Sequence, residues 1–163
     1  MPTAATNVKH LPANSGRVFA LMGDSLIFKD EPSDNGDALM LFEHRMAPTS
    51  SVPPHREQNH EAFYVLEGTL EVEADGQRYR LGPDDFLSLR PGVLHALHNP
   101  GPDWNRALTL VSPGSQHARF FSTLGEPVDD PLGPLQASGP PDFERLQRVG
   151  RECGIEFLPP PEA

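Results

Sequence analysis

Cysteine is almost absent: Cys153 is the only one. A lone thiol excludes an intrachain disulfide framework and a cysteine-built zinc cluster. It has no His or Asn beside it and sits near the end of a helical pattern, so it reads as an ordinary helix residue rather than a nucleophile. Long hydrophobic runs are missing as well. No stretch approaches the length of a membrane span, and Met1 to Pro12 contains no apolar segment of the signal-peptide kind. The expectation is a cytoplasmic protein with no membrane partner. Positive charge is scarce: 13 Lys and Arg stand against 23 Asp and Glu, a formal net charge of −10. A field of that sign repels phosphate backbones, and no basic run offsets it, so nucleic acid is not an expected partner.

What is present is turn chemistry. The 163 residues include 19 prolines and 14 glycines, which disfavours a helical bundle. The length suits one domain with a core of its own. Residues 1–16 read as an N-terminal arm. From Arg17 short apolar runs alternate with turn signals, giving expected strands at Arg17–Met22, Ser25–Asp30, Ala38–Met46, Ala62–Glu67, Thr69–Ala74, Gln77–Leu81, Phe86–Leu89, Leu94–His98 and Arg106–Ser112. Asp75-Gly76 is a two-residue hairpin turn. Leu70, Val72 and Ala74 alternate with Thr69, Glu71 and Glu73, the pattern of a half-buried antiparallel strand. So many strands without an intervening helix predict an all-β sandwich or barrel over residues 17–124, with its strands ending near Ser112. Beyond Pro113-Gly114, Ala118, Phe121 and Leu124 recur at helical spacing. Residues 125–163 are read as a Pro-rich linker followed by a C-terminal helix, capped by Asp142 and stopped at Gly154.

Seven histidines are scattered through the chain. Two segments give them a pattern. In Pro53-Pro54-His55-Arg56-Glu57-Gln58-Asn59-His60-Glu61, residues His55, Glu57 and Glu61 share strand parity and can face one interior. In Arg90-Pro91-Gly92-Val93-Leu94-His95, a turn delivers another imidazole at the start of a strand. Imidazole and carboxylate together suit a divalent Fe, Mn or Ni ion, with Zn also open. His60 is an alternative ligand if the strand bulges. Phe63 shares the ligand parity and is expected to line the cavity. Arg90 stands either as an anchor for an anionic substrate group at the barrel mouth or as a salt-bridge partner of Asp84 or Asp85.

These segments resemble the two sequence motifs of the cupin superfamily. The first reads G-x5-H-x-H-x(3,4)-E-x6-G, and His55-x-Glu57-x3-Glu61-x6-Gly68 follows its spacing. The second reads G-x5-P-x-G-x2-H-x3-N, and Gly92-x2-His95-x3-Asn99 follows that. The resemblance covers residues 17–124 and implies a double-stranded β-helix, or jelly-roll barrel, of the single-domain, quercetin-dioxygenase-like group with a short C-terminal helical extension. It also implies a homodimer. Carried over by position, His55, Glu61 and His95 fall on family metal ligands.

Three positions depart from the pattern. Glu57 stands where the family has its second histidine, Asp84 replaces a glycine and Arg90 a proline. Glu57 is then either a ligand in a two-His, two-carboxylate site or the mark of a weakened one. The function expectations divide accordingly. One is a metal-dependent dioxygenase acting on a small-molecule substrate. Another is a metal-free cavity that binds a small ligand without chemistry. The third is a sugar isomerase or epimerase, for which the arginines show no convergent pattern.

Overall fold

Alternating burial along some strands and near-continuous burial along others place the core between two sheets. A computed structural model of the chain describes residues 7–130 and 141–159. Residues 1–6, most of the expected linker (131–140) and 160–163 lie outside the described residues. Twelve strands are described: β1 (Arg17–Leu21), β2 (Asp24–Asp30), β3 (Met40–Arg45), β4 (Ser51–Glu57), β5 (His60–Glu67), β6 (Leu70–Ala74), β7 (Gln77–Leu81), β8 (Phe86–Leu89), β9 (His95–His98), β10 (Arg106–Ser112), β11 (Glu126–Val128) and β12 (Ile155–Phe157). Three helices accompany them: α1 (Pro32–Asn35), α2 (Ser115–Leu124) and α3 (Phe143–Glu152). Seven strands form one antiparallel sheet in the order β11-β1-β2-β3-β10-β5-β8, and five form a second in the order β12-β4-β9-β6-β7. This is the all-β jelly roll that the motifs imply. None of the helices is long and apolar enough to cross a membrane.

Apolar side chains fill the space between the sheets in two clusters. One joins Phe28, Met40 and Phe42 of the large sheet to Phe121, Val149 and Phe157 of the C-terminal elements. The other joins Phe63 and Val65 of β5 to Leu70, Val72 and Leu97 of the small sheet. Burying side chains of this size contributes about 1.5–3 kcal/mol each. The junction between the clusters falls at Glu61, whose cross-strand partners Val111 and Leu89 belong one to each cluster.

The C-terminal segment is built into both sheets. Past α2, β11 adds to the edge of the large sheet beside β1, and past α3, β12 adds to the small sheet beside β4. Asp142 caps α3 by accepting a hydrogen bond from the Arg145 backbone N–H at 3.0 Å, and Gly154 turns the chain out of the helix with φ +75°. Cys153 is buried behind this helix, and burial pushes its thiol pKa up.

β4 goes unrecognised in the sequence because Pro53 and Pro54 lie within it. Prolines donate nothing to a ladder, and the β4–β9 pairing accordingly shifts register between Val52 and His55. Asp84 occupies the left-handed region at φ +70°. Aspartate tolerates that region better than most residues, which explains how it replaces the motif's glycine. Its carboxylate accepts a hydrogen bond from the Tyr64 hydroxyl at 2.9 Å.

Candidate metal centre

Alternation on β4 buries His55 and Glu57 and leaves Arg56 exposed between them. Alternation on β5 buries Glu61, and β9 begins with the buried His95. His55 lies directly across from His95 in the β4–β9 ladder. Gly92 holds φ +85° and donates its backbone N–H to the Glu57 carbonyl at 2.7 Å, which ties the two motif segments together. Each of His55, Glu57, Glu61 and His95 offers one ligand atom, and these atoms all lie within 4.8 Å of one another.

Both imidazoles are aimed by backbone carbonyls. His55 Nδ1 donates to Pro53 O at 2.8 Å, and His95 Nδ1 donates to Val93 O at 2.9 Å. That turns each Nε2 toward the cluster, the orientation metal-binding histidines ordinarily have. Without a metal, His95 Nε2 donates to Glu61; burial lowers the His95 pKa, but the hydrogen bond and charge of Glu61 outweigh it and raise it. His95 Nε2 sits 2.9 Å from Glu61 Oε2 and 3.7 Å from Glu57 Oε1. His55 Nε2 is 3.8 Å from Glu57 Oε2. That last oxygen is fully buried without a hydrogen-bond partner. A buried carboxylate oxygen left unpaired is expensive, and a cation between the four side chains would satisfy it.

The electrostatics of the cluster point the same way. Burial, then the charge and hydrogen bonding of Glu61, push Glu57 up to about 10. Burial opposes ionisation of Glu61 too, but the hydrogen bond and charge of His95 hold it well below the usual carboxylate range. Burial and the neighbouring His95 push His55 down to about 3. Two adjacent carboxyls therefore hold a proton between them unless a positive ion replaces it. The residues fit a divalent cation.

The site is continuous with an apolar cavity of about 60 Å3, whose polar wall residues are Asp24, His44, His55, Glu61 and His117. Phe157 lines it beside the cluster, stacking on the His55 ring at 5.0 Å between centroids.

Several expected residues stand elsewhere. His60 is exposed, because β5 pairs with β10 without a register shift there and parity turns it away from Glu61. Phe63 does share the inner face of β5, but it points into the second apolar cluster and is not on the cavity wall. Arg90 is exposed and makes no ion pair among the described residues. Its expected partners are engaged elsewhere: Asp84 with Tyr64, and Asp85 with the Gly82 backbone N–H. The motif's Asn99 is structural: its amide donates to the carbonyls of Met46, Ala47 and Asp103.

His117 is the residue that sequence reasoning misses. It lies on α2 with Nε2 3.9 Å from Glu57 Oε1, and burial lowers its pKa. Its signal was its position three and four residues before Phe120 and Phe121, which places it on the apolar face of the helix.

Comparison with known proteins bears on the family and the fold. A family model for the cupin domain matches residues 42–111. The chain is 27% identical over 131 residues to quercetin 2,3-dioxygenase of Bacillus subtilis, covering 79% of this chain but only 37% of that protein. It is 30% identical over 112 residues to the tetracenomycin polyketide synthase protein TcmJ of Streptomyces glaucescens, covering 68% of this chain and 72% of the relative. The solved polyketide cyclase RemF of Streptomyces resistomycificus matches the fold with a TM-score of 0.58 at 19% identity, over 65% of this chain and 80% of its own. With the motif spacing, the two-sheet jelly roll and a relative matched over most of its length, the chain belongs to the cupin superfamily.

Proposed function

We propose that the protein is a metal-dependent enzyme of the oxygenase type, acting on a small, largely apolar organic substrate. His55, Glu57, Glu61 and His95 would hold a divalent Fe, Mn or Ni ion. The observation that carries this reading is the pair of imidazoles held through Nδ1 by backbone carbonyls, with each Nε2 facing two carboxylates, one with an unpartnered buried oxygen. A bound ion of this kind supplies Lewis-acid and redox chemistry at the substrate's oxygen atoms. The chain's own contributions are separate from it. Leu97, Phe121 and Phe157 exclude water from the substrate, and Phe157 limits its size.

Cavity size bears on the substrate. Pockets that enclose drug-sized ligands run to about 300–1,000 Å3, whereas this one is about 60 Å3. At this size the cavity is below the about 150 Å3 that encloses a benzene ring, so a single ring already requires the Phe157 side chain to shift, and a flavonol requires it to withdraw altogether. The described cavity wall carries no Lys or Arg, the countercharge a phosphorylated sugar takes, which favours a neutral substrate. A homodimer through the outer face of the large sheet belongs to the same proposal, since Tyr64 and Phe86 are exposed there side by side across β5 and β8.

The test is elemental analysis of protein purified without a chelating tag, followed by oxygen uptake with catechol and with quercetin. Near-stoichiometric metal that disappears in His95→Ala, together with uptake faster than free metal supports, is the expected result. Protein that takes up none of the added divalent ions is a binding module instead, and quercetin turnover no faster than free metal removes the flavonol.

A further inference from the structure

A second polar group lies on the wall of the same cavity, apart from the four clustered side chains. Asp24 opens β2, and His44 shares the inner face of β3 with Met40 and Phe42. Asp24 is buried, and three donors converge on its carboxylate. Oδ1 accepts from the Ala47 backbone N–H at 3.0 Å and from the Ser50 hydroxyl at 2.7 Å. Oδ2 accepts from His44 Nε2 at 3.0 Å. A carboxylate pinned in this way cannot rotate, so it fixes the imidazole as well.

The consequence concerns the other ring nitrogen. A neutral imidazole has one donor and one acceptor. With Nε2–H given to Asp24, Nδ1 is an acceptor, and it has no hydrogen-bond partner among the described residues. The ring lines the cavity. Between it and the ligand cluster the wall is apolar and aromatic, with Leu26, Val52, Leu97 and Phe121 prominent. An anion is disfavoured beside Asp24, and an ammonium would lose its hydration against such a wall. A neutral hydroxyl on an aromatic ring meets neither objection.

We propose that His44 Nδ1 anchors a small hydroxylated aromatic ligand by accepting a hydrogen bond from its hydroxyl, with Asp24 as the positioning residue that sets the tautomer. This rests on the function proposed above only for the ligand's other end, which faces the metal site. The anchor itself requires no metal.

Phenol and toluene are the probes, because they have nearly the same size and differ in the donor. Both are titrated into the full chain without added metal, with long-range 1H–15N spectra recording the histidine nitrogens. The expected result is a His44 Nδ1 that carries no proton and shifts upfield with phenol but not with toluene. Asp24→Asn keeps acceptors for Ala47 and Ser50 but turns an amide N–H toward Nε2, which moves the ring proton to Nδ1. Nδ1–H can then only donate, and the phenol oxygen is the weaker acceptor, so phenol affinity falls by up to about fivefold, the worth of one hydrogen bond, while toluene affinity stays unchanged. A proton on His44 Nδ1 in the unmodified protein overturns the proposal, and that reading needs no variant to fold. So does an equal response of the two probes to Asp24→Asn. Metal uptake combined with either overturning result leaves the metal reading intact, and the expected phenol result in a chain that takes up no metal refutes the metal reading alone.

Discussion

Glu57→Gln is expected to stabilise the metal-free protein while weakening its hold on a metal. In the unfolded chain this carboxyl ionises near 4.5, but in the fold it is pushed up to about 10, by burial first and then by Glu61. At pH 7 folding therefore forces a proton onto it. At about 1.4 kcal/mol per pH unit, that opposes folding by about 3 kcal/mol. The folded state binds the extra proton, so the penalty is absent below about pH 4.5 and grows as pH rises toward 10. Glutamine keeps the shape without the titration. It still buries a polar group with few partners, so the expected gain at pH 7 is about 1–3 kcal/mol, or a Tm rise of about 3–10 °C for a chain of this size. At pH 5 the gain shrinks below about 1 kcal/mol. The depressed His55, which weakens the fold as pH falls from 6.5 toward about 3, is common to both proteins and cancels. Urea unfolding in EDTA at several pH values measures the difference. A Gln variant less stable than its parent at pH 7, or a difference independent of pH, refutes the reasoning. With metal at a hundredfold excess over Kd, the parent regains about 2.7 kcal/mol and the order narrows or reverses.

Three further outcomes follow from the same contacts. Phe157→Ala removes the ring stacked on His55 and on Phe120, and is expected to cost about 3 kcal/mol in chemical denaturation while admitting ligands larger than one ring in a binding screen. Glu57→His restores the family's usual ligand set, so metal uptake by elemental analysis should be at least that of the parent, with a weaker dependence on pH between 5 and 8. Asp142→Ala deletes the cap on α3 and should lower stability by about 1 kcal/mol without changing metal content.

The barrel was legible because strands such as β6 and β10 alternate cleanly. The cluster was legible because even spacing singles out His55, Glu57 and Glu61, although β4 and β5 carry them in different sheets and they meet across the barrel. What the sequence hides is whatever depends on a third element arriving. β11 and β12 are three residues each, too short for any period to show. β4 is masked by its own prolines, whose missing N–H groups shift the ladder just before His55. Phe63 is placed at the cavity by strand parity alone. Direction along a strand gives a face, not a depth, and Phe63, two residues beyond Glu61, already lies past the cavity in the next cluster.

The same distinction explains His117 and His44. Neither belongs to the two motif segments, and each reaches the cavity on a separate element, α2 and β3. A motif records the residues that must keep fixed spacing because they share a strand or a turn. Residues that arrive from elsewhere are fixed by packing, and packing leaves no spacing to read. In a fold that carries many activities, the shared motif should therefore report the ion, and the residues outside it should report the substrate. If that holds here, exchanging His44 for Gln changes which small molecules bind and leaves metal content alone, whereas His95→Ala removes the metal whatever the ligand.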